Sequence, residues 1–323
     1  MPPKITAIIL ALMAAVFYAV NVPASKILMR NIPPVFMASL LYLGAGVGIS
    51  AASFMRRSNR ENSLSRRDFP FVVGMIVLDI VAPIFLMKGI ELGTSSNASL
   101  LGNFEIVATT IIAVFAFGEK VSRRLWLAMS LITLSGIILT FEGADSLRFS
   151  WGSVLVLMAA TFWGLENNCT RMIASKSTYQ IVALKGIFSG AGSAVVAVIC
   201  GERLPGLTEA VCAMLLGFVA YGLSIFFYVR AQNTIGAART SAYYSAAPFI
   251  GVLLSFVMLR ESISGAYVVA LAVMIAGTVL VVMDTLILTH EHEHVHTFGG
   301  ITLKHSHPHN HYIGSKTHIH SHT

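Results

Sequence analysis

Charged side chains are scarce in this chain. Asp, Glu, Lys and Arg make up only 11% of its 323 residues, whereas 55% are hydrophobic and the mean hydropathy is +0.75. A single soluble core cannot bury that much apolar surface. The composition therefore excludes an ordinary soluble domain and indicates a membrane protein whose first partner is the lipid bilayer.

Cysteine is also rare, and histidine is missing from the first 289 residues. The three cysteines, Cys169, Cys200 and Cys212, are scattered in or beside predicted helices, which excludes a disulfide framework or a structural zinc site. The sequence contains no Ser/His/Asp arrangement, phosphate-binding loop or intramembrane pair of metal ligands. We therefore expect no enzymatic activity and no required cofactor.

Long apolar runs are abundant. Each is about 18 to 22 residues long, which is enough for a helix to cross a hydrocarbon core of about 30 Å. The sequence predicts ten membrane spans, near residues 5–27, 34–55, 70–88, 96–117, 124–142, 151–170, 180–200, 210–229, 240–259 and 266–288.

A unit of five predicted spans occurs twice in the sequence. Residues 12–18 align with 157–163, and residues 93–119 align with 236–261. Because five is odd, the second copy must be inverted in the bilayer relative to the first. We therefore predict an all-α membrane protein of ten transmembrane helices in two inverted repeats, residues 1–148 and 149–289, followed by a tail, residues 290–323. Inverted repeats are typical of secondary transporters, with the substrate near the midplane.

The distribution of Lys and Arg predicts the orientation. With the N-terminus inside, the cytoplasmic segments before the tail carry thirteen of these residues and the outer segments carry six. This asymmetry favours cytoplasmic positions for both termini, in a plasma (inner) membrane. The net charge of +7 then requires no nucleic acid partner. A homodimer is compatible with the sequence, which does not determine the oligomeric state.

Each half ends in a small-residue-rich helix, then a Glu, then a Gly-containing helix. The junctions read Phe117-Gly118-Glu119-Lys120 and Leu259-Arg260-Glu261-Ser262. With ten spans in two halves, this pattern resembles the EamA-like branch of the drug/metabolite transporter superfamily over residues 5–288. The resemblance implies export or exchange of amino acids, metabolites, drugs or nucleotide sugars. One departure stands out, since the second half has Pro248 within its fourth helix, where the first half has Glu105.

Intramembrane ionisable residues are costly unless they face a cavity or a partner. Asp79 and Glu105 fall near the middle of the third and fourth predicted spans. Either could take up and release protons, which is what coupling to a proton gradient requires. The alternative is a structural role, in a buried hydrogen bond or in a pair with Lys185 of the seventh span.

Other polar and aromatic residues extend the predicted substrate or proton pathway. Glu166, followed by Asn167 and Asn168, corresponds by repeat to Asn21. Tyrosine rings in the second half could stack on a substrate, or they could only anchor helices at the interface. Prolines that free a backbone carbonyl are candidates for gating. The additional residues are Asn21, Glu166, Tyr221, Tyr243 and Tyr244 for the pathway and Pro23 and Pro248 for gating.

The tail contains all eleven histidines of the chain, in clusters spaced i, i+2. Alternate residues of an extended chain share a face, so neighbouring imidazoles could converge on one ion, together with Glu291 and Glu293. Zinc, nickel, cobalt and copper all suit such ligands. We expect the tail to be disordered without metal. The candidate ligands are His290, His292, His294, His296, His305, His307, His309, His311, His318, His320 and His322.

The favoured function is a transporter of a small organic solute that works by alternating access, with Glu105 and Asp79 exchanging protons for substrate. One alternative is a transporter of a transition metal or metal complex with a cytoplasmic sensing tail, although no histidine lies in any predicted span. Another is a metal-responsive sensor or scaffold that transports nothing. A duplicated unit with midplane carboxylates favours transport.

Overall fold

The computed structural model describes residues 3–55, 64–118, 121–142, 148–173, 176–235, 240, 243–261, 263–285, 287–298 and 301–312. Helices dominate because a backbone in hydrocarbon must satisfy its own hydrogen bonds. The helices of the first half are α1 (Pro3–Ala19), α2 (Asn21–Leu28), α3 (Pro34–Met55), α4 (Phe69–Leu92), α5 (Ser95–Leu101), α6 (Phe104–Phe117) and α7 (Arg123–Thr140), with a 3₁₀ turn at Arg66–Asp68 before α4.

The second half repeats this order after a short antiparallel pair of strands, β1 (Phe141–Glu142) and β2 (Arg148–Phe149). Its helices are α8 (Trp151–Met172), α9 (Thr178–Ile199), α10 (Leu207–Gly217), α11 (Ser224–Ile235), α12 (Ala247–Leu259) and α13 (Gly265–Thr285). A π-helical turn at Phe218–Leu223 joins α10 to α11 within one span.

Most of the predicted spans meet the requirements for crossing a bilayer. In the part of the chain that the structure describes, eight helical segments are long and apolar enough, and Ala247–Leu259 is a shorter apolar helix. The sixth predicted span, α8, has 22 residues but is not among the eight. Glu166, Asn167 and Asn168 lie in this helix, and such polar side chains lower its hydropathy.

The helix contacts between the halves have pseudo-twofold symmetry, so that exchanging the two repeats exchanges one contacting pair for another. Helix α1 packs on α11, and its repeat counterpart α8 packs on α4, the counterpart of α11. Each of the pairs α3 and α9, and α7 and α13, joins an element to its own counterpart, and α5 packs on α12, which is the counterpart of its neighbour α6. The predicted all-α fold of two inverted repeats is confirmed by this arrangement.

Three spans change direction or are interrupted near the centre. Helix α1 ends at Ala19 and α2 begins at Asn21, with Pro23 in the first turn of α2. Helix α5 ends at Leu101 and α6 begins at Phe104. Pro248 was predicted within a continuous helix, but it is the second residue of α12, after a turn at Ser245 and Ala246. A first-turn position suits proline because its missing N–H has no helical partner there.

Glycine permits an unusually close approach of α3 and α9. A Cβ atom on Gly186 of α9 would lie 2.4 Å from the Cα of Gly46 in α3 and 2.8 Å from the carbonyl oxygen of Tyr42. Such distances admit no side chain. Because α3 and α9 are each other's repeat counterparts and pack together, this contact lies near the pseudo-twofold axis. Outward-facing side chains such as Phe115, Ile199 and Leu207 are large, apolar and exposed, as contact with lipid requires.

Beyond α13 the chain forms a hairpin of β3 (Ile287–Phe298) and β4 (Ile301–Tyr312). The sequence predicts a tail without regular structure in the absence of metal, whereas the structure pairs these residues. Alternating β-favouring residues joined by a two-residue Gly-Gly link favour such a hairpin. The dependence of tail order on metal stays a prediction, and His318, His320 and His322 lie outside the described residues.

Candidate functional site

A buried ion-pair cluster joins the two halves. Lys185 Nζ of α9 lies 3.1 Å from Asp79 Oδ2 of α4 and 3.0 Å from Glu166 Oε2 of α8. Asp79 is 0% exposed and Glu166 is 2% exposed, whereas the Lys185 side chain is 20% exposed. We call these three residues the buried triad. One ammonium group within ion-pair distance of both carboxylates lowers the cost of burying them, although it compensates only one of the two negative charges when both are ionised.

Hydrogen bonds fix the triad from both sides. Tyr42 donates its hydroxyl to Asp79 Oδ1 at 3.0 Å and accepts from Trp163 Nε1 at 3.3 Å. Thr170 donates to the Glu166 carboxylate one helical turn further along α8. Pro83 lies four residues after Asp79 inside α4, so its nitrogen cannot donate to the Asp79 carbonyl. These contacts hold the charges in one arrangement.

Glu105 occupies a different environment, at the interruption between α5 and α6. It is the second residue of α6, the position that Pro248 takes in α12. Its Oε1 accepts from Asn167 Nδ2 of α8 at 2.6 Å, and Asn167 also donates to Thr109 Oγ1 at 3.2 Å. The side chain is half-buried. Among the described residues, no basic group lies within ion-pair distance of Glu105.

Three tyrosine rings pack against one another within electrostatic range of Glu105. The ring centroids of Tyr18 and Tyr221 are 5.9 Å apart, and those of Tyr18 and Tyr244 are 5.8 Å apart. The Glu105 carboxylate is close enough to interact electrostatically with Tyr18, Tyr221 and Tyr244. All three tyrosines are half-buried. We call them the tyrosine cluster.

The helix irregularities position this cluster. Asn21, the first residue of α2, donates to the hydroxyl oxygen of Tyr221 at 3.0 Å, and Ser25 donates to Asn21 Oδ1 at 3.2 Å. Tyr221 lies in the π-helical turn, and π turns are frequent at functional sites. Its ring is also 5.3 Å from that of Tyr42. The tyrosine cluster is therefore connected to the buried triad through Tyr42.

Polar contacts join the halves on both faces of the protein, one on each side of the site. On the face away from the N-terminus, Glu202 accepts from the N–H of Phe36 at 2.9 Å, and Glu261 accepts from the N–H of Ser95 at 2.7 Å. On the N-terminal face, Lys176 Nζ lies 3.3 Å from Asp68 Oδ2. Any motion that opens one face must break the contacts on that face.

The structure brings most of the predicted pathway residues together. Asp79, Glu166 and Lys185 form the buried triad, while Asn21, Tyr221 and Tyr244 lie with Glu105. Tyr243 makes no ring or hydroxyl contact with the described residues of this cluster. Asp79 is paired with Lys185, which is the structural alternative to its predicted proton-exchange role.

Sequence reasoning missed several participants. Tyr18, Tyr42 and Trp163 were not singled out, although residues 12–18 and 157–163 form the stronger internal match. That match places Tyr18 and Trp163 at corresponding positions one helical turn before Asn21 and Glu166. The repeat was therefore the signal that could have identified Tyr18 and Trp163.

The triad leaves little room for a metal ion. Lys185 Nζ lies between Asp79 and Glu166, where a divalent cation would need both carboxylates. Within the described residues, no group of three or more His, Cys, Asp or Glu side chains could hold a metal ion.

Two inverted five-span halves that enclose a charged and aromatic centre define a membrane transporter. The chain belongs to the EamA-like transporter family, whose sequence model matches residues 5–141 and 150–283. The protein is thus an integral membrane protein of a transporter family, not of an enzyme family.

Curated relatives match over most of their length. An uncharacterized transporter of Methanothermobacter thermautotrophicus is 24% identical over 285 residues, covering 82% of each chain. The uncharacterized inner membrane transporter YedA of Escherichia coli K12 is 23% identical, covering 78% of this chain and 82% of YedA. A probable amino-acid metabolite efflux pump of the same strain is 22% identical, covering 80% of this chain and 88% of the pump.

A solved crystal structure supports the fold. It has a TM-score of 0.64 and 18% sequence identity, and the match covers 86% of this chain and 96% of the solved chain. At this identity, the likeness shows the fold alone.

Proposed function

We propose that the protein is a secondary transporter that exports a small organic solute in exchange for protons. The solute binds between the two halves, which rock to expose it to one side of the membrane and then to the other. Glu105 releases its proton as substrate binds and takes up a proton when substrate leaves. Asp79 holds Lys185 in place and has no part in the exchange.

The environment of Glu105 is the observation that carries this proposal. An ionised carboxylate at membrane depth is stable only with a partner or in a polar cavity. Glu105 accepts a hydrogen bond from Asn167 of the opposite half, and no described basic side chain lies within ion-pair distance of it, although Lys185 acts on it electrostatically. Substrate and proton can therefore compete for the same group, which is the requirement for exchange.

The contacts on the two faces support alternating access. Glu202 and Glu261 cap helices of the first half from loops of the second half. Lys176 and Asp68 join the halves on the other face. Inverted halves in contact along a pseudo-twofold axis can exchange these two sets of contacts by a rigid rotation.

The sequence and the relatives support a proposed orientation and a proposed substrate class. The excess of Lys and Arg in the N-terminal-side loops favours cytoplasmic termini. YedA is an inner membrane transporter, and another relative is a probable amino-acid metabolite efflux pump. We infer an inner membrane location and a metabolite of amino-acid size as the starting point for substrate screens.

Flux measurements in proteoliposomes test this function. A library of amino acids, amines, nucleobases and drugs is first screened by thermal shift, and each stabilising compound is then assayed for uptake driven by an imposed pH gradient. We expect Glu105→Gln to abolish pH-driven flux while the purified protein remains monodisperse. Normal pH-driven flux by this variant contradicts the proposed coupling.

Glu91→Gln is the matched control. Glu91 is an exposed carboxylate whose Oε2 lies 3.4 Å from Lys88 Nζ, and Lys88 Nζ also lies 3.9 Å from Glu202 Oε1 on the same face. This variant should transport as the unmodified protein does. If both variants lose flux equally, the loss reflects a general effect of removing a carboxylate.

We further propose that the tail binds a divalent transition metal. The backbone register of β3 and β4 places His290 opposite His309, His292 opposite His307, and His294 opposite His305. Alternation puts all of these positions on one face of the hairpin. Glu291 and Glu293 stay candidates as additional ligands.

Isothermal titration of full-length protein and of a form ending at Thr289 tests the tail. Zinc, nickel, cobalt and copper ions should bind the full-length protein and should not bind the truncated form. Metal binding that survives truncation would instead place an ion among the helices and favour the metal-transport alternative.

A further inference from the structure

The chemistry of the candidate site indicates the charge of its substrate. The buried triad and Glu105 together contribute three carboxylates and one ammonium group. Lys185 is already shared by Asp79 and Glu166, and it acts on Glu105 only from beyond ion-pair distance. A bound anion would add to this excess of negative charge, whereas a cation would compensate it.

Accessibility distinguishes Glu105 from the other two carboxylates. Asp79 and Glu166 are enclosed, whereas Glu105 is half-buried and lies in the first turn of α6. The positive end of that helix, with Asn167, stabilises the ionised carboxylate. Glu105 is therefore the carboxylate of the three that a ligand can reach most readily.

The tyrosine cluster adds a second, independent contribution. Tyr18 contacts both Tyr221 and Tyr244 by its ring, and all three are half-buried around Glu105. The electron-rich face of a tyrosine ring attracts an organic cation within about 6 Å of its centroid. Several rings and a carboxylate in one place form a typical site for an ammonium group. An anion would be repelled by the same ring faces.

We propose that the transported solute carries a positive charge on nitrogen, as a protonated amine or a quaternary ammonium group, held between the Glu105 carboxylate and the rings of Tyr18, Tyr221 and Tyr244. This inference rests on the proposed transport function for its physiological meaning. It specifies that function further, because among the classes of solute the chemistry of the site excludes anions.

A probe series matched in size and differing in charge tests the inference. Full-length protein in detergent at neutral pH is titrated with phenethylamine, phenethyl alcohol and phenylpropionate, and binding is followed by thermal shift. Benzyltrimethylammonium provides a cation without an N–H donor. We expect both cations to bind at least about tenfold more tightly than the alcohol or the carboxylate, as desolvated cation–π and ion-pair contacts predict.

Variants assign the preference to named groups. Glu105→Gln should reduce cation affinity about tenfold while leaving the weak binding of phenethyl alcohol unchanged. Tyr244→Phe keeps the ring and should retain the preference, whereas Tyr244→Leu should weaken it. Glu91→Gln should bind all probes as the unmodified protein does. An unliganded melting temperature for each variant separates misfolding from loss of the site.

Several results would overturn the inference. These are equal or tighter binding of the neutral or anionic probe, no response to either cation, or an undiminished cation preference in Glu105→Gln. Uptake of each bound probe into proteoliposomes tests transport separately. Uptake of an anion overturns the charge assignment and leaves transport standing. Selective binding of cations that are never carried supports the charge assignment and contradicts the transport function.

Discussion

The buried triad and Glu105 are two carboxylate regions at the same contact between the halves, and they differ in how their charge is balanced. In the triad, Asp79 and Glu166 share Lys185 and are almost completely enclosed. Glu105 has an asparagine as its hydrogen-bond partner and is half-buried. A position at membrane depth thus does not by itself distinguish a structural carboxylate from a functional one.

The difference indicates which carboxylates of the centre can change their charge or their partners during a transport cycle. An enclosed ion pair in a low-dielectric environment resists rearrangement, because separating it leaves charges without partners. A half-buried carboxylate held by a neutral amide can exchange a proton or a cation at lower cost. We therefore interpret the triad as the fixed part of the centre and Glu105 as the variable part.

Removing the shared cation should have the largest effect on stability. Lys185→Met leaves Asp79 and Glu166 enclosed without a counterion, which should cost about 3–5 kcal/mol of unfolding free energy. Thermal unfolding in detergent would show a large drop in melting temperature or failure to purify a monodisperse protein. An unchanged melting temperature would mean that the triad is not a structural unit.

The same acid-to-amide change should separate the two regions. Asp79→Asn breaks one ion pair of the triad and should cost about 1–3 kcal/mol. Glu105→Gln retains an oxygen that can accept from Asn167, so its stability should change by less than about 1 kcal/mol. Parallel unfolding curves check both values. Equal losses would remove the distinction between the regions.

Neutralising the whole triad should recover most of the stability that Lys185→Met loses. The triple variant Asp79→Asn, Glu166→Gln, Lys185→Met leaves no unpaired charge and should unfold within about 1 kcal/mol of the unmodified protein. The comparison with Lys185→Met alone measures the cost of unpaired charge. A triple variant as unstable as the single variant would indicate that packing of the Lys185 side chain dominates.

An exposed pair should show the smallest effect. Glu91→Gln removes an ion pair with Lys88 in which both side chains are more than two-fifths exposed, at 42% and 44%. Its stability should change by less than about 0.5 kcal/mol. A larger loss would mean that exposed charges contribute more to stability here than enclosed charges do, which would contradict the distinction between this pair and the triad.

Much of the fold could be predicted from the sequence because hydrophobic length and duplication are properties of the chain itself. The ten apolar runs correspond to helices, and the internal match at residues 12–18 and 157–163 indicates the inverted halves. The interruption before α12 was missed, because a proline can either bend a continuous helix or begin a new one. Only the surrounding packing decides between these outcomes.

The candidate site was predictable in its residue types but not in its partnerships. A carboxylate such as Asp79 stands out in an apolar run, and Lys185 was recognisable as an available partner. Glu166 joins the same lysine because α4, α8 and α9 meet, which depends on tertiary packing. Tyr18 and Tyr42 were not identified because tyrosine also serves as an ordinary interfacial anchor.

The close contact of Gly46 with Gly186 constrains how the two halves can move. When two bodies rock about a common axis, points on that axis travel least and points far from it travel most. In the proposed rocking motion, a backbone contact without intervening side chains near the axis would act as a fulcrum whose geometry changes least. Displacement is then largest at the two membrane faces, where Glu202, Glu261 and Lys176 make their contacts, and smallest at the level where the glycines meet.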